Sequence, residues 1–319
     1  MTKLNNSITD VPGIEVGHAQ NMDALTGCTV VLSLKGAVAG VDVRGGAPGT
    51  RETDLLNPGN MVQKVHAVML AGGSAFGLDA ASGVMRYLEE KQVGFKTREA
   101  LVPIVPSAIL YDLDLGQSHI RPDAEMGYQA CVNASKKETA EGVVGAGTGA
   151  SVGKMLGMKQ AMKSGIGSAS IQLGRGIVVG AIVAVNALGD IYDPDTGAFV
   201  AGIRNKKKTQ EWLKTASRLP MLRRNTVIGV VAVNAKFSKA DMTRVAEMAH
   251  DGMARAIRPT HTQFDGDTIF ALATGGKSID LSTVGAFAAE AFAQAVVRAV
   301  RASVSAGGLP GLADSADKE

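Results

Sequence analysis

The chain has 319 residues, 45% of them hydrophobic, with 39 glycines, one Trp, four Tyr and a formal net charge of +3. That apolar content is enough for one large domain or two intimately packed halves, and it excludes a disordered or fibrous chain. The small charge gives no argument for a polyanion, and so few aromatic rings supply no stacking platform, so no nucleic-acid partner is expected.

From the N-terminus, Met1 to Ser7 lacks the apolar stretch of a signal peptide. No run reads as a membrane span, so a cytoplasmic protein without a membrane partner is expected. Cys28 and Cys131 are far apart and lack the spacing of a disulfide framework or zinc site; they read as small buried residues. Short apolar or β-branched runs at 28–32, 65–70, 142–145, 177–185 and 226–233 predict strands. Several are apolar on both faces, so their sheets should be covered on both sides. Helical periodicity marks 75–90, 238–257 and 282–304, and Ser238 followed by Asp241 has the form of a helix start. The stretch from Asp193 to Arg224 reads as the longest loop, most of the local basic excess falls in 204–224, and the tail from Ala306 is expected to fray. Strands and helices alternate without the rhythm of a doubly wound sheet, which predicts a layered α/β architecture with helices outside stacked sheets.

Several motifs fail on inspection. Residues 145–150 match G-x-G-x-x-A, but no acid lies between Ala150 and Asp190 to hold a ribose, so a nicotinamide cofactor is rejected. Gly72 to Gly77 resembles a nucleophile elbow except that Phe76 stands where glycine is needed; Ser74 reads instead as a helix N-cap. His18, His66, His119, His250 and His261 are scattered and read as structural or surface residues. Asp265-Gly-Asp267 has two open readings: an extended segment with both carboxylates on one face, able to relay a proton, or a Gly-centred turn.

Asn225-Thr226 follows the basic stretch and opens an apolar run. A hydroxyl at the mouth of a buried strand is where an N-terminal nucleophile lies if the chain cuts itself there. Thr226 Oγ would attack the Asn225 carbonyl carbon and take the acyl group as an ester, which water would then release. The freed α-amine, with an ordinary pKa of about 7.7–8.0, would serve as general base. A turn followed by a strand-starting Thr accounts for the two residues more simply.

The blocks at Ile8 to His18, Val43 to Thr53, Leu70 to Leu78, Gly145 to Lys154 and Asp265 to Phe270 occur in one order over nearly the whole chain. Together they resemble the L-aminopeptidase/D-esterase family, which includes β-peptidyl aminopeptidases and a nylon-oligomer hydrolase. The resemblance implies an α/β fold, a four-layer αββα sandwich of N-terminal-nucleophile type. It implies one domain over 1–319, self-cut into 1–225 and 226–319 between Asn225 and Thr226. Thr226 falls on the family nucleophile, Asp265 and Asp267 on its acidic or polar pair, and Asn186 on the residue that receives the oxyanion. Asn186 also ends an apolar run, where a polar side chain needs a partner. Tyr111 and Lys154 fall on substrate-pocket residues; an aromatic strand residue and a solvated lysine are their plain alternatives. The implied activity is hydrolysis of small peptides, amides or esters, ω-amino-acid oligomers among them, by a homo-oligomer (a tetramer of cut protomers) that needs no metal or organic cofactor. Acyl transfer to an amine, as in the related ornithine acetyltransferases, and an uncut binding module are the rival readings.

Overall fold

The computed structural model describes residues 4–215 and 225–316. Its main strands are β1 (Glu15–Asn21), β2 (Thr26–Val43), β3 (Val65–Ala71), β4 (Ser107–Ile109), β5 (Ile166–Leu173), β6 (Ile177–Asn186), β7 (Thr226–Ala235) and β8 (Thr268–Lys277). The main helices are α1 (Ala80–Glu90), α2 (Ala124–Val132), α3 (Lys239–Ala256) and α4 (Leu281–Arg301).

The organising element is the 18-residue β2, which belongs to two sheets at once. Its first part pairs antiparallel with β1 and β3, and β4 extends that sheet parallel to β3. Its last part pairs antiparallel with β8, from which the ladder continues through β7 and β6 to β5. The pairing of β2 with β3 shifts register between Leu32 and Ala37, where the strand passes from one sheet to the other.

Alternation of side chains stacks the sheets. Val31, Val68 and Leu70 of one sheet share a buried cluster with Ile182, Ile228, Val230 and Phe270 of the other. The opposite faces bury Val227, Val231 and Val233 against α3 and α4, and Cys28, Val30 and Met69 against α1 and α2. Both faces of β7 are therefore covered, which is why all ten of its residues are buried and its run from Val227 to Val233 carries no polar side chain. The order of layers is helices, sheet, sheet, helices, the expected αββα sandwich.

The helices are fixed by local chemistry. Helix α3 opens with a capping box: Ser238 Oγ accepts the Asp241 N–H and the Asp241 carboxylate accepts the Ser238 N–H, a device worth about 1 kcal/mol. It packs on α4 at backbone distance, since a Cβ on Gly252 would stand 2.0 Å from Ala289 O. Helix α4 is long and apolar enough by length and composition to cross a membrane, contrary to the reading that no run is. Its apolar residues, Val284, Phe292, Val296 and Val300 among them, are buried on α3 and the β5–β6 sheet.

Four local expectations are corrected. Residues 142–145 form no strand: Gly142 makes one bridge to Ile166, and Gly145–Gly147 is a 3-10 turn with Gly145 at φ +51°, held where a Cβ would strike Thr29 Oγ1 and His18 Nδ1. Residues 75–90 are not one helix, because Ser74–Asp79 is 3-10 and the α-helix begins at Ala80. The long loop holds a strand, Phe199–Ala201, and a helix, Thr209–Thr215, and its part at 216–224 lies outside the described residues. The tail does not fray at Ala306: Leu309 is buried, Lys163 donates its N–H to Pro310 O, and Ala313–Ala316 is helical.

Candidate active site

The candidate site forms where β6 ends and β7 begins, because antiparallel register places Asn186 opposite Thr226. Asn225 and Thr226 are buried. The Thr226 hydroxyl donates to the carbonyl oxygen of Asn225. The same oxygen accepts the Gly266 N–H at 2.9 Å, and the Asn225 N–H donates to Phe264 O at 3.1 Å. The peptide bond between Asn225 and Thr226 is thus clamped by the turn that leads into β8. Only glycine fits at 266, since a Cβ there would lie 2.9 Å from Thr226 Oγ1 and 2.8 Å from Ala47 O.

That turn settles how the two acids are presented. Asp265 closes it by donating its N–H to Thr262 O, while its carboxylate accepts the Thr262 N–H at 2.7 Å. Asp267 lies just before β8 and accepts the Val227 N–H at 2.8 Å, next to Thr226 in sequence. The turn is centred on Gln263 and Phe264, not on Gly266 as the Gly-centred reading had it; Asp265 leaves it in a bridge with Asn225, and Asp267 reaches the start of β7 through the Val227 N–H. The residues at 44–47 wall them in: Arg44 and Gly45 donate N–H groups to Asp267 O, and Ala47 to Asp265 O. Burial, followed by the neighbouring Asp267 charge, pushes the Asp265 carboxyl up to about 6.

Asn186 is held from three sides. Its Oδ1 accepts Lys154 Nζ at 2.7 Å and the Ser151 N–H at 3.1 Å, and its Nδ2 donates to Tyr111 O at 2.8 Å. Lys154 is not a solvated lysine: Gly153, at φ +70°, turns the chain so that Lys154 is buried with Nζ also 3.0 Å from Asn186 O. Tyr111 lies beyond the end of β4 and, with Ala47, Pro48, Ser74, Ile109 and Thr226, lines a cavity of about 250 Å³. Ser74 is not an N-cap; no cap hydrogen bond comes from its side chain, and its backbone is left-handed at φ +55° with its N–H on Leu110 O.

Two histidines that read as incidental stand behind the acids. His261 Nδ1 is 2.8 Å from Asp267 Oδ2, and its ring is edge-on to His250 at 4.8 Å. No regular spacing in the sequence signals them, because a left-handed residue, His261 at φ +57°, makes the connection. Among the described residues no group of three or more His, Cys, Asp or Glu is placed to hold a metal.

The layers define the class of fold, the N-terminal-nucleophile sandwich. The L-aminopeptidase D-Ala-esterase/amidase of Ochrobactrum anthropi, described as a variant of that fold, superposes with a TM-score of 0.76 at 21% identity over 97% of this chain and 90% of its own. A Burkholderia β-aminopeptidase superposes with a TM-score of 0.71 at 24% identity over 100% of this chain and 95% of its own. The chain belongs to peptidase family S58, whose pattern matches residues 6–312. Among its relatives, an uncharacterized aminopeptidase of Mycobacterium leprae is 44% identical over 96% of this chain and 92% of its own length. A 6-aminohexanoate-oligomer endohydrolase of Kocuria is 32% identical over 92% of this chain and 85% of its own. The protein is therefore a hydrolase of peptidase and amidase type.

Proposed function

We propose that this hydrolase activates itself by cutting between Asn225 and Thr226, giving chains 1–225 and 226–319, and then works through an acyl-threonyl ester. The observation that carries the reading is the Thr226 hydroxyl on the carbonyl oxygen of Asn225, with the Gly266 N–H on that same oxygen. In self-cleavage, Thr226 Oγ attacks the Asn225 carbonyl carbon and the oxyanion is received by the Gly266 N–H. The C–N bond then breaks, the Thr226 nitrogen takes the proton, and water hydrolyses the ester.

In turnover the α-amine of Thr226 takes the hydroxyl proton and passes it to the leaving amine. The second hydrogen of Asn186 Nδ2, the first being on Tyr111 O, is the donor for the substrate oxyanion. Asp265 and Asp267 set the charge around the amine. Lys154 acts through Asn186, whose Oδ1 it holds; a substrate carboxylate would have to compete with Asn186 for Nζ. The cavity of about 250 Å³, walled by Ile109, Tyr111 and small residues, suits a short acyl group. That supports small amides and esters of amino acids as substrates, with ω-amino-acid oligomers as the longer case.

Acid-quenched turnover of amino-acyl p-nitroanilides, followed by peptide mapping of the 226–319 chain, tests the mechanism. The acyl mass should appear on Thr226, and no such adduct during active turnover would refute the ester. Added free amine that collects the acyl group in preference to water would make the protein an acyltransferase instead.

A further inference from the structure

Asp267 accepts four hydrogen bonds. Its Oδ1 takes the Val227 N–H at 2.8 Å; its Oδ2 takes the Thr260 hydroxyl at 3.1 Å, the His261 N–H at 3.1 Å and His261 Nδ1 at 2.8 Å. The Asp265 carboxylate has fewer donors, the Thr262 N–H at 2.7 Å and the Thr262 side chain. Two carboxyls separated by one residue thus sit in unequal surroundings, and His261 supplies half of the donors that make the difference. It does so from left-handed backbone at φ +57°, a conformation that disfavours a residue with a side chain, so the contact is held by the surrounding fold. The other ring nitrogen, Nε2, is buried without a hydrogen-bond partner among the described residues. An imidazole that keeps its proton on Nδ1 satisfies this arrangement; one that keeps it on Nε2 leaves two acceptors facing each other.

The groups around His261 can be named from each side. His250 of α3 stands edge-on at 4.8 Å, and burial drives its imidazole down to about 4, so a neutral ring faces His261 there. Behind His250 lie Asp42 and its ion-pair partner Arg44, at the end of β2. Asp265 lies across the turn, and the field of Lys154 reaches it from the Asn186 side.

We propose that His261 is a positioning residue for the reaction: its two hydrogen bonds keep Asp267 ionised and fixed on the Val227 N–H, so that Asp265 is the member of the pair that takes up and releases a proton. No bond is made or broken by His261. The proposal rests on Thr226 being the nucleophile, whose charge environment the pair controls, but it can be tested in a chain that cannot react.

The experiment uses the uncut Thr226→Ala chain carrying [4-13C]aspartate and 15N-histidine, with resonances assigned by Asp265→Asn and Asp267→Asn. Asp265 should titrate near pH 6 without Asp267 titrating beside it, and the nitrogen shifts of His261 should show the proton on Nδ1. Adding His261→Phe, which removes the ring donor, should bring Asp267 into the titration range of Asp265. His261→Asn, which keeps a donor and tolerates left-handed backbone, should restore the wild-type pattern. In the processed enzyme, His261→Phe should move the acid limb of kcat/KM upward by half a pH unit or more, because loss of a donor to an anion raises its pKa. Three results would overturn the proposal: Asp267 titrating beside Asp265 with His261 present, the His261 proton on Nε2, or unchanged titrations in His261→Phe. The first two need no variant of His261, so a folding failure cannot mask them. Failure of the Thr226 mechanism would show separately, as turnover surviving in Thr226→Ala.

Discussion

Thr226, Gly266 and Asn186 make separable contributions to the site. Gly266 does two things at once: its N–H holds the Asn225 carbonyl oxygen, and its missing side chain leaves room for Thr226 Oγ1. Gly266→Ala keeps the N–H but sets a Cβ against Thr226 Oγ1 and Ala47 O, so it should slow self-cleavage by displacing the hydroxyl from the Asn225 carbonyl, read as persistence of the uncut chain on a denaturing gel. Cleavage at the wild-type rate would mean that Thr226 Oγ1 does not attack from its place beside Gly266. Asn186 acts on substrate in this account. Asn186→Ala in processed enzyme should cost about 100- to 1000-fold in kcat, roughly 2.7–4 kcal/mol of barrier, and near-wild-type turnover would remove it from the mechanism. Asn186 stands out in the sequence because it ends a buried apolar run, where a polar side chain needs a partner; Thr226 reads there as a plain strand-starting residue and is singled out by the family resemblance. The left-handed backbone of Ser74, the burial of Lys154 and the place of His261 beside Asp267 leave no mark in the sequence, for one reason. Each depends on a left-handed backbone, at Gly153, Ser74 and His261, that redirects the chain without leaving a periodic trace.

Among the elements, patterns that repeat along one strand or helix were read correctly. Strands β3, β6 and β7 and helices α3 and α4 lie within a few residues of their expected bounds, because burial on one or both faces writes a period into the sequence. The 3-10 turn at Gly145–Gly147 did not yield to that reading, since its conformation answers to contacts with β2 and His18 rather than to its own sequence. The contact of α3 with α4 offers a test of such packing. Gly252→Ala would ordinarily favour a helix by about 1 kcal/mol, yet the new Cβ would stand 2.0 Å from Ala289 O. Overpacking of about 1–3 kcal/mol should win, so the Tm should fall by several degrees in a calorimetric scan. An unchanged or raised Tm would show that the helices do not touch there.

For the whole molecule, the consequence of the topology is that a cut at residue 225 does not divide the sandwich. Strand β7 is hydrogen-bonded to β6 on one side and β8 on the other, and β8 is paired with β2, so the second fragment supplies the centre of one sheet. Chains 1–225 and 226–319 should co-elute on size exclusion in native buffer and separate only in denaturant. Elution as two species without denaturant would contradict the pairing order. The αββα layering was legible from the two-faced apolar strands and the family resemblance. The passage of β2 through both sheets was not, because a register shift inside one long strand has no compositional mark.

The most direct test of the account is the intact mass of the purified protein under denaturing conditions, for wild type and Thr226→Ala side by side, with sequencing of any new N-terminus. The account predicts two wild-type chains, the smaller beginning at Thr226, and a single uncut chain in the variant. A wild type that hydrolyses its substrates while remaining one intact chain would contradict it, because the α-amine assigned as base would still be a peptide nitrogen.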